Sequence, residues 1–336
     1  MTATVRFARA GLPALLVAAM LLVLAGCAQA DKPTGADVPE GSNAKAAAVR
    51  IGTLPTEDSL PLWVAEKMGY FATQGVESVE IITFQSAQER DAAFASGSID
   101  AFMGDIIAAA NLEAGGAPNT IKTIMLGADP SQGRFAVVVP PNSQVTSVAQ
   151  LKGVPVGTSS ATIQEYVLDG LMKAVGVSDA EVKKEEIKKV PVRFELLMAD
   201  KIKAAALPEP FVTLAEQGGA KVVADDTQSQ ENLTQTVLVF ADGYLATPEG
   251  ASAADAVLGA WDVAAQQINQ SPDSYRQDLV DKARLPQPLV ETYQVNTYPM
   301  AGPPSQADVN AVLDWMRTKD YLKGDVSYDD LVSDGN

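Results

Sequence analysis

Residues 48–127 alternate strand-like and helix-like segments without a break, and few folds accept that pattern. "AVRIGTL" reads as a buried strand. "LPLWVAEKMGYF" follows as a short helix, with Leu60, Trp63, Val64 and Met68 on one stripe and Gly69 ending it. The stripe assigns Trp63 to the core rather than to a ligand wall. "VESVEIITF" is the next strand by its alternation and β-branched content, and Ser86 with Glu89 has the spacing of a capping box that opens the helix "SAQERDAAFASG". "IDAFMG", "DIIAAANLEAGG" and "IKTIMLG" continue as strand, helix and strand. Crossovers of this kind lay the strands parallel and put helices on both faces of the sheet.

"DPSQGR" breaks the rhythm with Pro130 and Gly133, and "FAVVVPP" begins a second run. Within 134–234 the grammar repeats: "VPVG" strand, "SSATIQEYVLDGLMKAVG" helix, "KKVPVRF" strand, "IKAAALP" strand, "EPFVTLAEQGG" helix and "AKVVADD" strand. The charge run "EVKKEEIKK" reads as a solvated face. "TVLVFADGYLA" is a long apolar strand that carries the chain back, and from Pro248 onward the pattern is helical. The predicted fold class is α/β, with two doubly wound lobes joined by two crossing strands and a helical C-terminal third. Lobe 1 is expected at 48–131 plus 241–336 and lobe 2 at 132–240, with hinges near 129–134 and 234–243. No sequence repeat of fixed period is visible.

Ahead of this lie Arg6, Arg9 and an uncharged apolar run from Leu12 to Ala25, the layout of an export signal over 1–26. "LAGC" resembles the bacterial lipobox, in which the cysteine, here Cys27, becomes the new N-terminus and carries lipid, palmitate included. The polar segment 27–47 then reads as a tether with a reach on the order of 25 Å. Cleavage would leave 23 Lys+Arg against 42 Asp+Glu, a net of −19, which argues against nucleic acid as a partner. The chain has no histidine, and Cys27 is its only cysteine. Ser-His-Asp and Cys-His activation and His- or Cys-based metal sites are thereby excluded, as are disulfides within the chain. No EF-hand or phosphate-cradling Gly-rich loop is present, and the pair Asp329 and Asp330 reads as solvated. No catalytic residue, cofactor or metal is predicted.

Several segments in order carry a resemblance: "LPLWVAEKMGYF", "VEIITFQSAQERDAAFASGSIDA", "SVAQLKGVPVGTSS", "IKAAALPEPFVTLAEQGGAKVVADD" and "VLDWMRTKDYLKGDVSYDDLV". Over residues 49–333 the chain resembles the solute-binding proteins of ABC importers, in particular the nitrate, sulfonate and taurine binding family that includes thiamine-pyrimidine binders. The resemblance implies a type II periplasmic-binding-protein fold, a small-molecule solute held between the lobes, and permease and ATPase subunits as partners. It also implies a lipid-anchored monomer on the extracytoplasmic face of a membrane. Related pyrimidine-forming enzymes of this fold rely on histidine. Its absence here favours binding over synthesis; a carboxylate-dependent enzyme and a signalling lipoprotein are the alternatives.

In open α/β sheets ligands meet the carboxyl ends of the strands. The loop "TLPTEDS" presents Thr53, Glu57 and Asp58, unless it merely starts a helix. "FQSAQE" brings Gln85 and Ser86, the latter also explained as an N-cap, and "MGDII" puts Asp105 at a helix start, where the dipole alone would favour it. On the second lobe, "GTSSATIQE" gathers Ser159, Ser160 and Thr162 at a helix N-terminus suited to a polar acceptor, although Thr162 and Glu165 also fit a capping box. Glu209 stands between two prolines in "LPEPF". With four carboxylates and only Arg134 as a nearby guanidinium, the preferred solute is a neutral or cationic nitrogen-bearing organic molecule.

Overall fold

The computed structural model describes residues 48–332 apart from 77, 230, 284 and 286. The expected signal, Cys27 and the tether lie outside the described residues. The first five strands are β1 (Val49–Thr53), β2 (Val79–Thr83), β3 (Ala101–Asp105), β4 (Asn119–Leu126) and β5 (Phe135–Val139). The next five are β6 (Pro155–Thr158), β7 (Lys183–Glu186), β8 (Ala205–Pro208), β9 (Lys221–Asp225) and β10 (Thr236–Ala241). They build two sheets, ordered β2-β1-β3-β10-β4 and β7-β6-β8-β5-β9. In the first, β1 runs parallel to β2 and β3, and β10 lies antiparallel between β3 and β4. In the second, β6 runs parallel to β7 and β8, and β5 lies antiparallel between β8 and β9. Each sheet therefore receives, as its one antiparallel strand, the strand that follows a crossing between lobes.

Both faces of each sheet are covered. The helices Leu60–Met68 and Pro248–Gln270 bury Trp63, Val257, Trp261 and Ile268 on one face of the first sheet, so Trp63 is core. The helices Ile106–Ala114 and Gln306–Thr318 cover the other with Ile106, Leu112, Val309 and Leu313. On the second sheet Ile163–Ala174 packs one face and Val190–Met198 with Phe211–Gln217 the other.

Four expectations need correction. The segment "KKVPVRF" is not a strand: Val190–Met198 is a helix with proline in its first turn, and Val190 and Leu197 share its buried face. The second-lobe strand is instead the charged "KKEE" of β7, which survives as a strand because it is an edge, pairs on one side with β6, leaves Lys183, Glu185 and Glu186 exposed and pairs Lys184 with Glu165 and Asp169. Residues 236–240 do not belong to lobe 2, because β10 is the fourth strand of the first sheet, buried on both faces, and the chain turns into a helix at Asp242–Leu245. Residues 291–304 are not helical, as a run with Pro299, Pro303 and Pro304 dictates.

The lobes also repeat one another. Arg90 and Arg193, Gly97 and Asp200, Ile99 and Ile202, and Met103 and Ala206 occupy matching places, each pair 103 residues apart. Arg90 donates to the carbonyl of Met103 and Arg193 to that of Ala206. Gly97 and Asp200 both take the left-handed backbone, at φ of 71° and 51°. A Cβ on Gly52 would lie 2.5 Å from Ile99 and 3.3 Å from Arg90, and one on Gly157 would lie 3.0 Å from Ile202 and 3.4 Å from Arg193.

Candidate functional site

The carboxyl ends of the two sheets face each other, and hydrogen bonds cross between them. Asp105 ends β3 and caps the helix behind it, its Oδ1 accepting from the Ala108 N–H at 2.7 Å, while its Oδ2 accepts from the Ile163 N–H of the second lobe at 3.1 Å. Asp105 is thus at once the cap of its helix and a bridge to the second lobe. Gln88 donates to Ser159 Oγ at 2.9 Å, and Lys189 pairs with Glu89 at 2.9 Å. Between these contacts lies a cavity of about 20 Å³ lined by Thr56, Asp58, Arg90, Asp105, Thr162 and Gln164 among others. A second, of about 10 Å³, is lined by Glu57, Asp58, Arg134 and Glu209 among others. Each has room for about one water molecule, so the cleft is closed.

Five of the ten expected site residues line these two cavities: Glu57, Asp58, Asp105, Thr162 and Glu209. Asp58 accepts from Thr56 Oγ1 at 2.6 Å, and burial pushes its carboxyl up to about 6 against the pull of Thr56, Thr236 and Arg90. Burial raises Asp105 and Glu209 as well. Glu209 accepts from the Thr213 N–H and hydroxyl at 3.0 and 2.9 Å and meets Arg134 at 3.5 Å. Glu57 is held from a direction the sequence did not show. The non-helical run supplies Tyr293, whose hydroxyl donates to its carboxyl, and Asn296, whose N–H donates at 2.7 Å, while the Tyr298 hydroxyl holds the Glu57 carbonyl at 2.9 Å. Burial pushes the Glu57 carboxyl up to about 8.

The other five stand back from the cavities. Thr53 meets Thr83 across the sheet at 3.1 Å, Gln85 donates its N–H to Glu89, and Ser86 is the N-cap of Ala87–Ala95. Ser159 serves the interlobe bond to Gln88. Ser160 is exposed and gives its N–H and hydroxyl to Glu186 on the edge strand, away from the cleft. Thr162 is an N-cap by position but makes no capping bond; its hydroxyl donates to the Ser159 carbonyl at 2.7 Å, and Glu165 takes the Ala161 N–H instead.

Sequence reasoning missed Arg90, Gln164 and Arg193. Arg90, 1% exposed, lies in the wall of the larger cavity and pairs with Asp91 at 2.6 Å. Arg193, fully buried, donates to Gln164 Oε1 at 3.4 Å. Both sit mid-helix, one turn in from a loop, and only their internal correspondence marks them. The premise that Arg134 is the one guanidinium near the cleft is thus corrected. Arg134 itself turns into the second lobe, toward Glu216 at 2.8 Å and Asp225 at 3.5 Å.

Two α/β lobes linked by two crossings, with the ends of their sheets opposed across a closed cleft, make the periplasmic binding protein fold. The NMT1-like family matches residues 42–280, and the chain belongs to that family. It is similar to the alkanesulfonate-binding protein SsuA of Xanthomonas axonopodis pv. citri bound to MOPS, at 20% identity and TM-score 0.70, over 84% of this chain and 96% of that one. It is also similar to the nitrate-binding protein NrtA of Synechocystis PCC 6803, at 15% identity and TM-score 0.69, over 83% of each chain. A DszB mutant in complex with biphenyl-2-sulfinic acid aligns at 14% identity and TM-score 0.62, over 85% of this chain and 96% of that one. A comparison with curated proteins finds no match. No helix among the described residues is long and apolar enough to cross a membrane.

Proposed function

We propose that this protein captures a small solute between its lobes and delivers it to the permease and ATPase of an ABC importer, acting as a non-enzymatic, monomeric receptor. The solute belongs to the class of nitrate, sulfonates, taurine or thiamine precursors. The observation that carries this reading is the convergence of buried polar groups from both sheet ends, Asp58, Arg90, Asp105, Thr162 and Gln164, on one interlobe cavity. The names of the similar binding proteins support it. Residues 48–332 contain neither histidine nor cysteine, so a thiol or imidazole mechanism has no residue there to use. The lipobox-like "LAGC" supports attachment to the extracytoplasmic face of a membrane through lipid on Cys27.

Thermal melting against nitrate, taurine, MOPS, short alkanesulfonates and pyrimidines tests the capture. A solute present at about 100 times its dissociation constant adds roughly 2.7 kcal/mol of stability. A compound that binds must also be recovered unchanged; turnover would make the protein an enzyme. Cys27→Ser is expected to leave the folded region intact and release it from membranes on fractionation, and a variant still firmly bound would refute the lipid anchor.

A further inference from the structure

Arg90 and Arg193 hold the same place in the two lobes, and each gives Nη1 to the carbonyl thirteen residues downstream. Their charges are treated differently. In the first lobe the next residue is Asp91, which accepts from Arg90 Nε at 2.9 Å and Nη2 at 2.6 Å. In the second lobe the next residue is Phe194, and no carboxylate among the described residues pairs with Arg193. Among the described residues, Arg193 Nε is fully buried and unpartnered, and Nη2 reaches only Gln164 Oε1 at 3.4 Å. Burial pushes this guanidinium down to about 10, with only the charge of Glu186 opposing. A guanidinium buried without a counter-ion is costly, and a fold keeps one where something else completes its surroundings.

Gln164 is that intermediary. It is 7% exposed and lines the interlobe cavity. With its oxygen turned to Arg193, its NH2 group makes no hydrogen bond among the described residues and is the part of the amide left for the cavity. We propose that Arg193 is a positioning residue that fixes the Gln164 amide with its N–H donors toward the solute, so that the second lobe receives an oxyanion end of the solute. The solute's charge then offsets that of Arg193 across one amide, in a water-poor setting where such attraction is strong. This inference rests on the solute-binding reading and adds to it the group recognised and the residues that recognise it. It also replaces the neutral or cationic preference drawn from the carboxylates alone.

The test uses two full-length variants, Gln164→Glu and Gln164→Leu, with melting temperature read without additive and binding read by calorimetry with nitrate, MOPS and methanesulfonate. A carboxylate at 164 supplies the missing counter-ion. Gln164→Glu is therefore expected to melt above the wild type without additive and yet bind the oxyanions at least about tenfold more weakly. Gln164→Leu is expected to lose binding without any gain in melting temperature. A Gln164→Glu protein that melts at or below the wild type, or either variant binding an oxyanion as tightly as the wild type, overturns the proposal. If no probe binds the wild type, the reading as an oxyanion receptor fails, while the melting temperatures still judge whether Arg193 lacks a counter-ion.

Discussion

Glu57 shows how a loop carboxylate becomes part of the core. A glutamate in the unfolded chain titrates near 4.3, whereas here burial holds the proton to about 8. Because the folded value is the higher one, the stabilisation is complete below about pH 4 and is lost progressively as pH rises through 8. Asp226, pushed up to about 8 by burial, and Asp58, pushed up to about 6, act in the same direction. Stability should therefore fall between pH 5 and 8. Glu57→Gln removes one of these titrations and should flatten the slope by roughly 1.4 kcal/mol per pH unit. Urea melts at several pH values check this; an unchanged slope would mean that Glu57 is ionised in the folded protein. At this scale the sequence revealed Asp58, Asp105 and Glu209, because polar residues just beyond an apolar strand have few other places to go. It concealed Arg90 and Arg193, whose helical neighbours give no sign that a charge is buried.

The elements most easily misread are those that tertiary contacts decide. "VPVRF" has the β-branched content of a strand, yet Val190 and the later Leu197 share a buried face only as a helix, which leaves Val192 exposed, and Arg193 reaches the Ala206 carbonyl from that helix. "KKEE" has no apolar face at all and becomes a strand because β6 offers it a ladder. The crossing segments carry a sharper requirement. Gly127 has φ of +86°, and a Cβ there would lie 1.3 Å from the Thr234 carbonyl oxygen, so the two crossings touch backbone to backbone at this point. Asn232 Nδ2 adds a bond to the Gly127 carbonyl at 2.8 Å. Gly127→Ala should cost about 3 kcal/mol or more, since both the positive φ and the missing space oppose it. A chemical melt showing less than about 1 kcal/mol of loss would mean that the crossings can separate freely.

For the molecule as a whole, the lobes also meet along a seam outside the two interlobe cavities. The first lobe's C-terminal segment contributes Lys319, which pairs with Asp169 at 2.7 Å and Asp179 at 2.8 Å, and Trp315 and Tyr321, which donate to Asp169 and Glu165. Lys184 of the second lobe binds the same two carboxylates, Asp169 at 2.7 Å and Glu165. Asp169 and Glu165 are almost wholly buried, so these contacts are screened far less than surface pairs. Lys319→Met should lengthen and broaden the distance between spin labels placed on the two lobes, and an unchanged distribution would assign closure to the crossings and cavity alone. In the wild type, saturating solute should not expand the molecule in small-angle scattering, and expansion would remove the hinge account.

The sequence by itself determined the α/β alternation, the two lobes and, at "DPSQGR", the first break between them, because hydrophobic period and turn chemistry are local properties. It also determined which chemistry is missing, since a chain without histidine and with one cysteine near its start excludes whole mechanisms by composition. Only the tertiary structure decided that β10 belongs to the first sheet, that Tyr293 and Asn296 close over Glu57, and that two arginines 103 residues apart hold matching places in the two lobes. Those facts rest on contacts between distant segments, and of the four matched pairs only the arginines and the isoleucines keep the same residue. Burial, which raises the Glu57 carboxyl and leaves Arg193 without a counter-ion among the described residues, exists only once those segments have met.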